Sequence, residues 1–433
     1  MPNSPTTLDT RRPTPSRHSR ADPRPPRRLS ATASLLLLAS IIVSLLASSS
    51  APTPLYATYQ AQWHFTPLTT TIVFGVYAMA VLAALLTLGR LSDHLGRKPV
   101  LLAALAGQVI AMILMTTADG VPQLLIARVA QGLATGAALG ALGAGMMDLH
   151  RDRGALANSV APGIGTGTGA MLSALVVQFL PAPTHLIYLL LLAVFALQAA
   201  GVLLMPETVT RKSGALASLT PEISLPRTLR GPVLTAAPVL FAVWALAGFY
   251  GALGPALTRQ LTGGTGSVLL GGLALFVLAG AAALAVILQR NTPARRLVTT
   301  GVAATVIGVA GVLASLSAGS VTGFFVATVI AGLGFGGGFQ GGIRFVMPLA
   351  APHQRAGVLS LLYTVSYLGL GLPAMVAGYL IVHVGGLYTT AREYGAVVIL
   401  LAASALLGLL LRRQDETPGL VVVTSDQIDA ALE

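Results

Sequence analysis

The chain has 433 residues, of which 54% are hydrophobic and only 9% charged, whereas a soluble domain carries about 25% charged residues. With a mean hydropathy of +0.79, so few charges cannot cover a water-facing surface of this size, and lipid is the solvent for most of the chain. There is no cysteine, and the seven histidines form no metal-type pair, so disulfides and zinc motifs are excluded. The net charge of +12 is spaced between apolar runs, as topology signals are, rather than gathered into a nucleic-acid-binding patch.

Residues 1–31, rich in Pro, Arg, Ser and Thr, read as a disordered basic tail. The apolar run Leu35–Leu46 resembles a signal-peptide core with small residues behind it at Ala47–Ala51. The spans that follow, and the repeat described below, argue for its retention as a first membrane helix. Apolar stretches of the roughly 20 residues needed to cross lipid fall at 32–56, 69–88, 99–117, 121–148, 156–180, 185–205, 232–257, 267–288, 297–316, 321–349, 356–383 and 394–411. The longest loop, Glu207 to Gly231, divides these twelve into two sets of six. The expectation is an all-α membrane protein with an N-terminal six-helix bundle (32–206), a linker (207–231), a C-terminal six-helix bundle (232–411) and a tail (412–433).

Lysine and arginine set the orientation. With the N-terminal tail placed in the cytoplasm, 22 of the 26 basic residues fall on that side. Only Arg259 and Arg392 fall outside, and Arg128 and Arg344 lie within spans. Both termini are therefore expected inside. The halves also align at an offset near 200 residues. Arg128-Val-Ala-Gln-Gly132 meets Thr328-Val-Ile-Ala-Gly332, Gly136 meets Gly336, and Ala51-Pro-Thr-Pro-Leu-Tyr56 meets Gly251-Ala-Leu-Gly-Pro-Ala256. Gly169-Ala-Met171 meets Pro373-Ala-Met375 at an offset of 204. Two related halves imply a central cavity that opens alternately to each side.

The loop between spans two and three reads Gly89-Arg-Leu-Ser-Asp-His-Leu-Gly-Arg-Lys98. A positive-inside turn explains Arg97 and Lys98 but not Asp93 between two glycines. The segment resembles the signature loop of the major facilitator superfamily, G-x-L-a-D-r-x-G-r-k, matching at Gly89, Leu91, Asp93, Gly96, Arg97 and Lys98. The resemblance extends over the chain in helix count, loop lengths and topology. It implies a gate in which Arg90 and its neighbours form the turn and Asp93 meets the start of the eleventh helix near Arg355. The matching segment of the second half, Gln289 to Val298, keeps basic residues but has Pro293 in place of the acid.

Asp148 is the only acid inside the predicted spans. It reads either as an exposed anion beside Arg151 and Arg153 or as a charge-relay partner of Arg90 or Arg97. Arg128 lies 20 residues earlier in the same span, about 30 Å of helix, so these two charges cannot pair. An Arg in lipid costs about 2.5–3.5 kcal/mol, so it faces substrate, protein or water, or snorkels to the outer interface. Arg128-x-x-Gln131-Gly132 resembles the superfamily's fourth-helix motif, which implies a part in proton transfer or substrate binding. Arg344, near an inner helix end, can snorkel. Tyr77, Gln108, Gln131, Asn158, Trp244, Tyr250, Gln340, Tyr363 and Tyr367 are candidates for lining the cavity, each also explicable as a helix–helix hydrogen bond or interface anchor. Tyr56 and Tyr59 read as interfacial belt residues.

The fifth span holds Pro162 among glycines but not the G-P-x-x-G-G motif frequent in the superfamily's drug–proton antiporters. Gly332, Gly334 and Gly337 fit a dinucleotide pattern in spacing only. No strand precedes them, and glycines four apart here and at Gly132, Gly136 and Gly140 read as close helix packing. There is no P-loop and no catalytic constellation, so neither ATP hydrolysis nor enzymatic chemistry is expected, and no cofactor or metal. The resemblance implies a secondary transporter of the bacterial inner membrane, acting as a monomer and exporting small organic solutes in exchange for protons. No acid or histidine lies mid-span to carry that proton, and a lone arginine suits an anionic or neutral solute. An importer or uniporter for such a nutrient is the alternative, and a membrane sensor without transport is a distant third.

Overall fold

A computed structural model describes residues 29–415 apart from residue 265, with side chains described to residue 408. The expected disorder of the N-terminal tail, and most of the C-terminal tail, lie outside the described residues.

The described residues form helices joined by turns and one longer linker. The helices are α1 (Ala31–Trp63), α2 (Pro67–Leu88), α3 (Arg97–Thr116), α4 (Val121–Leu149), α5 (Arg151–Phe179) and α6 (Pro183–Leu204). After the linker come α7 (Arg230–Leu261), α8 (Val268–Leu288), α9 (Ala294–Ala318), α10 (Val321–Val346), α11 (Arg355–Leu380) and α12 (Gly386–Asp415). By length and hydropathy these form eleven stretches able to cross a membrane, because Pro352–Gly408 runs on for 57 residues. A rod of that length would reach about 85 Å, far beyond the ~30 Å of hydrocarbon. The π turn Ile381–Gly385 breaks it, and Gly386 takes φ +70°. Helices α11 and α12 then both pack against α7.

Prolines enter where a lost N–H is tolerated. Pro67, Pro122 and Pro183 start helices, where the amide has no intrahelical partner in any case. Within α1, Ala51 is followed by Pro52 and Pro54, and the chain resumes as helix to Trp63. The predicted span ending at 56 is therefore too short. Pro52 leaves the carbonyl of Ser48 without its intrahelical donor, and that carbonyl becomes part of the site.

One buried core joins α1–α6 through residues such as Leu38, Leu101, Leu142 and Phe195. Another joins α7–α12 through Leu246, Leu275, Phe324 and Val398, with Phe74 and Ala170 from the first half inserted. Large apolar side chains including Leu197 (74% exposed) and Leu288 (69%) face outward, as only lipid permits at this density.

The repeat is visible in the packing. A Cβ on Gly132 would meet Ala80 Cβ and Tyr77 O of α2 at 2.6 and 2.7 Å, and one on Gly332 would press the Leu278 carbonyl and Ala281 of α8. Gly136 faces Val81 and Ala84 on α2, while Gly336 faces Ala282 on α8. Equivalent glycines thus admit equivalent neighbours at an offset near 200. The halves meet along α2 against α11 and α5 against α8. At the end remote from the basic loops, Thr53 donates to Gly251 O (3.3 Å) and Ser267 to Gln178 Oε1 (2.9 Å).

Candidate functional site

An arginine inside a membrane bundle must find acceptors, because the unsolvated charge costs more than any one contact returns. Arg128 is fully buried in α4. Its Nη1 donates to Ser49 O (3.1 Å) and to Gln131 Oε1 (2.6 Å), and its Nε donates to Val73 O (3.3 Å). The guanidinium lies 4.2 Å from the centre of the Tyr77 ring, a cation–π contact. Gln131 Nε2 donates to Ser48 O (2.9 Å), the carbonyl that Pro52 left free. The proline break in α1 therefore creates an acceptor next to the place where α4 supplies its charge. Arg128 does not snorkel, and among the described residues no carboxylate neutralises it and its Nη2 has no partner.

Tyr77 belongs to a buried cluster that crosses the seam between halves, with Tyr367, Trp244 and Tyr363 packed against it. Trp244 lies 4.7 Å from Tyr367, 5.5 Å from Phe339 and 6.4 Å from Phe335, ring centre to ring centre. Its indole N–H has no acceptor. The structure thus brings Arg128, Gln131 and Tyr77 of one half opposite Trp244, Tyr363 and Tyr367 of the other. Phe335 and Phe339 were absent from the sequence-derived candidates. Their spacing of four, on a glycine-rich helix, was the available signal.

Other candidates take the helix–helix role instead. Gln108 is fully buried and donates to Gln131 O (3.1 Å) and Thr135 Oγ1 (2.8 Å), joining α3 to α4. The Tyr250 hydroxyl bonds Thr328 Oγ1 at 2.7 Å inside the second core. Asn158 sits half-buried beside Gly143. Gln340 lines a separate cavity at the basic end. Tyr56 and Tyr59 are not belt residues: they are 4% and 1% exposed, and the Tyr59 hydroxyl donates to that of Tyr188 (3.2 Å).

The signature loop folds as a turn Leu91–Leu95 into α3. Gly96 takes φ +98°, and a Cβ there would stand 2.7 Å from Glu207 Oε2, so glycine is needed for both conformation and space. Arg97 is the hub: it pairs with Asp93, bonds Ser92 Oγ (2.7 Å) and donates from Nε to Asp148 Oδ2 (3.3 Å). Asp148 therefore joins the loop through Arg97, while Arg90 pairs with Glu222 of the linker.

The implied contact of Asp93 with the start of α11 is not made. Arg355 donates instead to Ala350 O (3.2 Å). Glu207 accepts the backbone N–H groups of Arg97 (2.8 Å) and Lys98 (3.1 Å), an anion at a helix N-terminus. Lys98 Nζ caps carbonyls at the end of α6, including Leu203 O. Farther along the linker, Lys212 N–H bonds His94 O (2.9 Å) and Ser224 N–H bonds Gly357 O (3.3 Å). Glu207 went unremarked in the sequence. Its only signal was an acid directly after Pro206 in an acid-poor chain.

A family model described as the Major Facilitator Superfamily matches residues 36–318, well over half of the chain. Solved structures of like fold include a mutant form of the nucleoside transporter NupG. It is 13% identical, with 88% of this chain and 100% of that one covered and a TM-score of 0.68. At that identity the likeness is one of fold.

Proposed function

We propose, for a chain that belongs to the major facilitator superfamily and is thereby a secondary transporter of the membrane, that it exports small organic solutes by alternating access in exchange for protons. The bundles 32–206 and 232–411 are the rocking halves, the basic end faces the cytoplasm of a bacterial-type inner membrane, and one copy suffices. The observation that carries the reading is the buried Arg128, with Nη2 unpartnered and no carboxylate beside it among the described residues, behind a Tyr77 that faces the Trp244 cluster of the other half. A buried donor left unpaired costs about 1–3 kcal/mol, and a polar solute atom reaching it would recover that cost. The signature loop, through Asp93, Arg97 and Asp148, holds the basic end of the first half together as it moves.

A specific observation favours a second reading, uniport or uptake of an anionic or neutral nutrient. Among the described residues, every Asp, Glu and His lies in a loop or within about two turns of a helix end. Arginine does not release a proton near neutral pH, so no mid-span group is placed to carry one. The test is flux in reconstituted vesicles under a pH gradient, with an internal pH dye and a panel of dyes, antibiotics and organic acids. A solute that dissipates the gradient only with wild-type protein supports exchange with protons. Labelled solute crossing with no proton movement supports uniport. If no solute crosses faster than in empty vesicles, the transport reading falls.

A further inference from the structure

At the basic end, α5, α8, α9 and α10 surround a cavity of about 560 Å³, well apart from the Arg128 cluster. Its size is that of a small-molecule site. Arg153, Arg290 and Arg344 line it, and the one acid in the lining is Asp152. None of these three arginines makes an ion pair with a described residue, whereas Arg90 and Arg97 at the same end are paired with acids. Gln340 and Arg344 stand four apart on α10 and so share a face. Ser159 and Asn291 add neutral side chains able to donate hydrogen bonds. The lining thus carries surplus positive charge, with neutral donors interleaved.

We infer that this cavity binds the carboxylate or phosphate group of an organic anion, which makes organic anions the substrate class. The inference rests on the transport reading above. Guanidinium groups match the planar oxygens of such anions and hold them in paired hydrogen bonds. Walls of low dielectric between helices strengthen that attraction. Arg344 lies 16 residues after Thr328, the repeat counterpart of Arg128, which separates the two basic levels by about 24 Å along the helix axis. The three arginines therefore lie nearer the basic end than Arg128 does. Since positive charge at this end also attracts lipid headgroups, the same chemistry has a second source, which the experiment separates.

The test is equilibrium dialysis of the full-length protein in nonionic detergent with radiolabelled benzoate, citrate and glucose 6-phosphate, with benzamide and glucose as neutral counterparts. At least one anion should bind while its neutral counterpart does not. Arg290→Gln/Arg344→Gln should weaken that binding by about tenfold or more, as loss of charged hydrogen bonds requires. Arg344→Lys, which keeps the charge but loses the paired hydrogen bonds, should fall between the wild type and the double variant. Binding by none of the anions, or equal binding by a double variant that elutes as a single species and melts with the wild type, overturns the inference. The dialysis is repeated in nanodiscs with and without phosphatidylglycerol. Retained anion binding in both supports a soluble ligand, and replacement of every soluble anion by the anionic lipid overturns the substrate assignment. Vesicles that move a neutral solute while no anion binds would sink this inference and leave transport standing. Anion binding with no solute moved would leave an anion site in this cavity but sink the transport reading and, with it, the substrate assignment.

Discussion

Replacing Arg128 with Met should abolish transport while leaving the fold nearly as stable as the wild type. The substitution removes three hydrogen bonds, to Ser49 O, Val73 O and Gln131 Oε1. Two of these cross to α2 and α1, where such bonds average about 0.6 kcal/mol each, and the third lies within α4, so their loss together costs about 2 kcal/mol. The ring contact with Tyr77 at 4.2 Å adds about 1 kcal/mol. Against this stands relief of the buried charge, about 2.5–3.5 kcal/mol on insertion scales. The terms cancel to within about 1 kcal/mol, which should shift the melting temperature by no more than about 4 °C. The assay is a thermal melt in detergent beside solute flux in vesicles. A melting drop of about 10 °C or more would make Arg128 a structural post. Wild-type flux in the variant would remove it from the solute path. Either result refutes the reasoning.

Gly136→Val should fail to accumulate or melt far below the wild type, because its Cβ would stand 2.5 Å from Val81 O and 2.6 Å from Ala84 Cβ, and overpacking of this kind costs about 1–3 kcal/mol or more. Gly280→Ala, with nothing within 4 Å of the added carbon, should be neutral or stabilising by up to about 1 kcal/mol in the same melts. Glu207→Ala should loosen the start of α3 by about 1 kcal/mol, read as faster hydrogen exchange at Arg97 and Lys98, whose amides it caps; unchanged exchange there would contradict the capping role. The chain has no cysteine, so Gln178→Cys/Ser267→Cys, placed where these side chains touch across the halves at 2.9 Å, should be joined by a short bifunctional thiol reagent that halts flux. Full flux in the cross-linked protein would mean that the contact does not open during transport.

The spans were legible because lipid permits one solution, about 20 apolar residues with every backbone group bonded internally. Their ends were less so. Helix α1 outruns its predicted end at 56 because Pro52 and Pro54 interrupt the hydrogen-bond ladder without stopping the chain from resuming as helix to Trp63. Helix α5 begins at Arg151, five residues before the apolar run, since charged residues at a helix start lie outside the hydrocarbon. Arg128 and Gln131 could be picked out because polar groups inside an apolar span need a reason. Tyr250 and Gln108 carried the same signal, yet their partners, Thr328 and Thr135, are short hydroxyls on neighbouring helices that no pattern along the chain reveals. Tyr56 and Tyr59 looked like belt residues because only the fold brings Tyr188 against them. The linker's engagement of the signature loop was equally hidden, resting on Glu207 and Glu222, which are far from their partners in sequence.

The repeat explains where function could concentrate. Both halves keep the glycines that let α4 approach α2 and α10 approach α8, so the scaffold is duplicated. The site is not. At the position equivalent to Arg128 the second half has Thr328, whose hydroxyl meets Tyr250 and leaves nothing charged. The two proline breaks diverge in the same way. In α1, Pro52 frees Ser48 O for Gln131 within its own half, beside the Arg128 site. In α7, Pro255 leaves Gly251 O without its intrahelical donor, and Thr53 of the other half takes it. One break therefore furnishes a binding group and the other a contact between halves. On the proposed function, polar recognition would fall to the first half and aromatic packing, through Trp244 and Tyr367, to the second. A solute held between them would then touch both, and its grip on both would change as the halves rock. A Thr328→Arg substitution would add a second buried charge among Tyr250 and Phe324 with no proline-freed carbonyl beside it. It should therefore destabilise the second half by about 3 kcal/mol or more, whereas Arg128 is carried at little net cost. Equal melting temperatures for this variant and the wild type would show that the carbonyls at Ser48 and Ser49 are not what makes an arginine tolerable in α4.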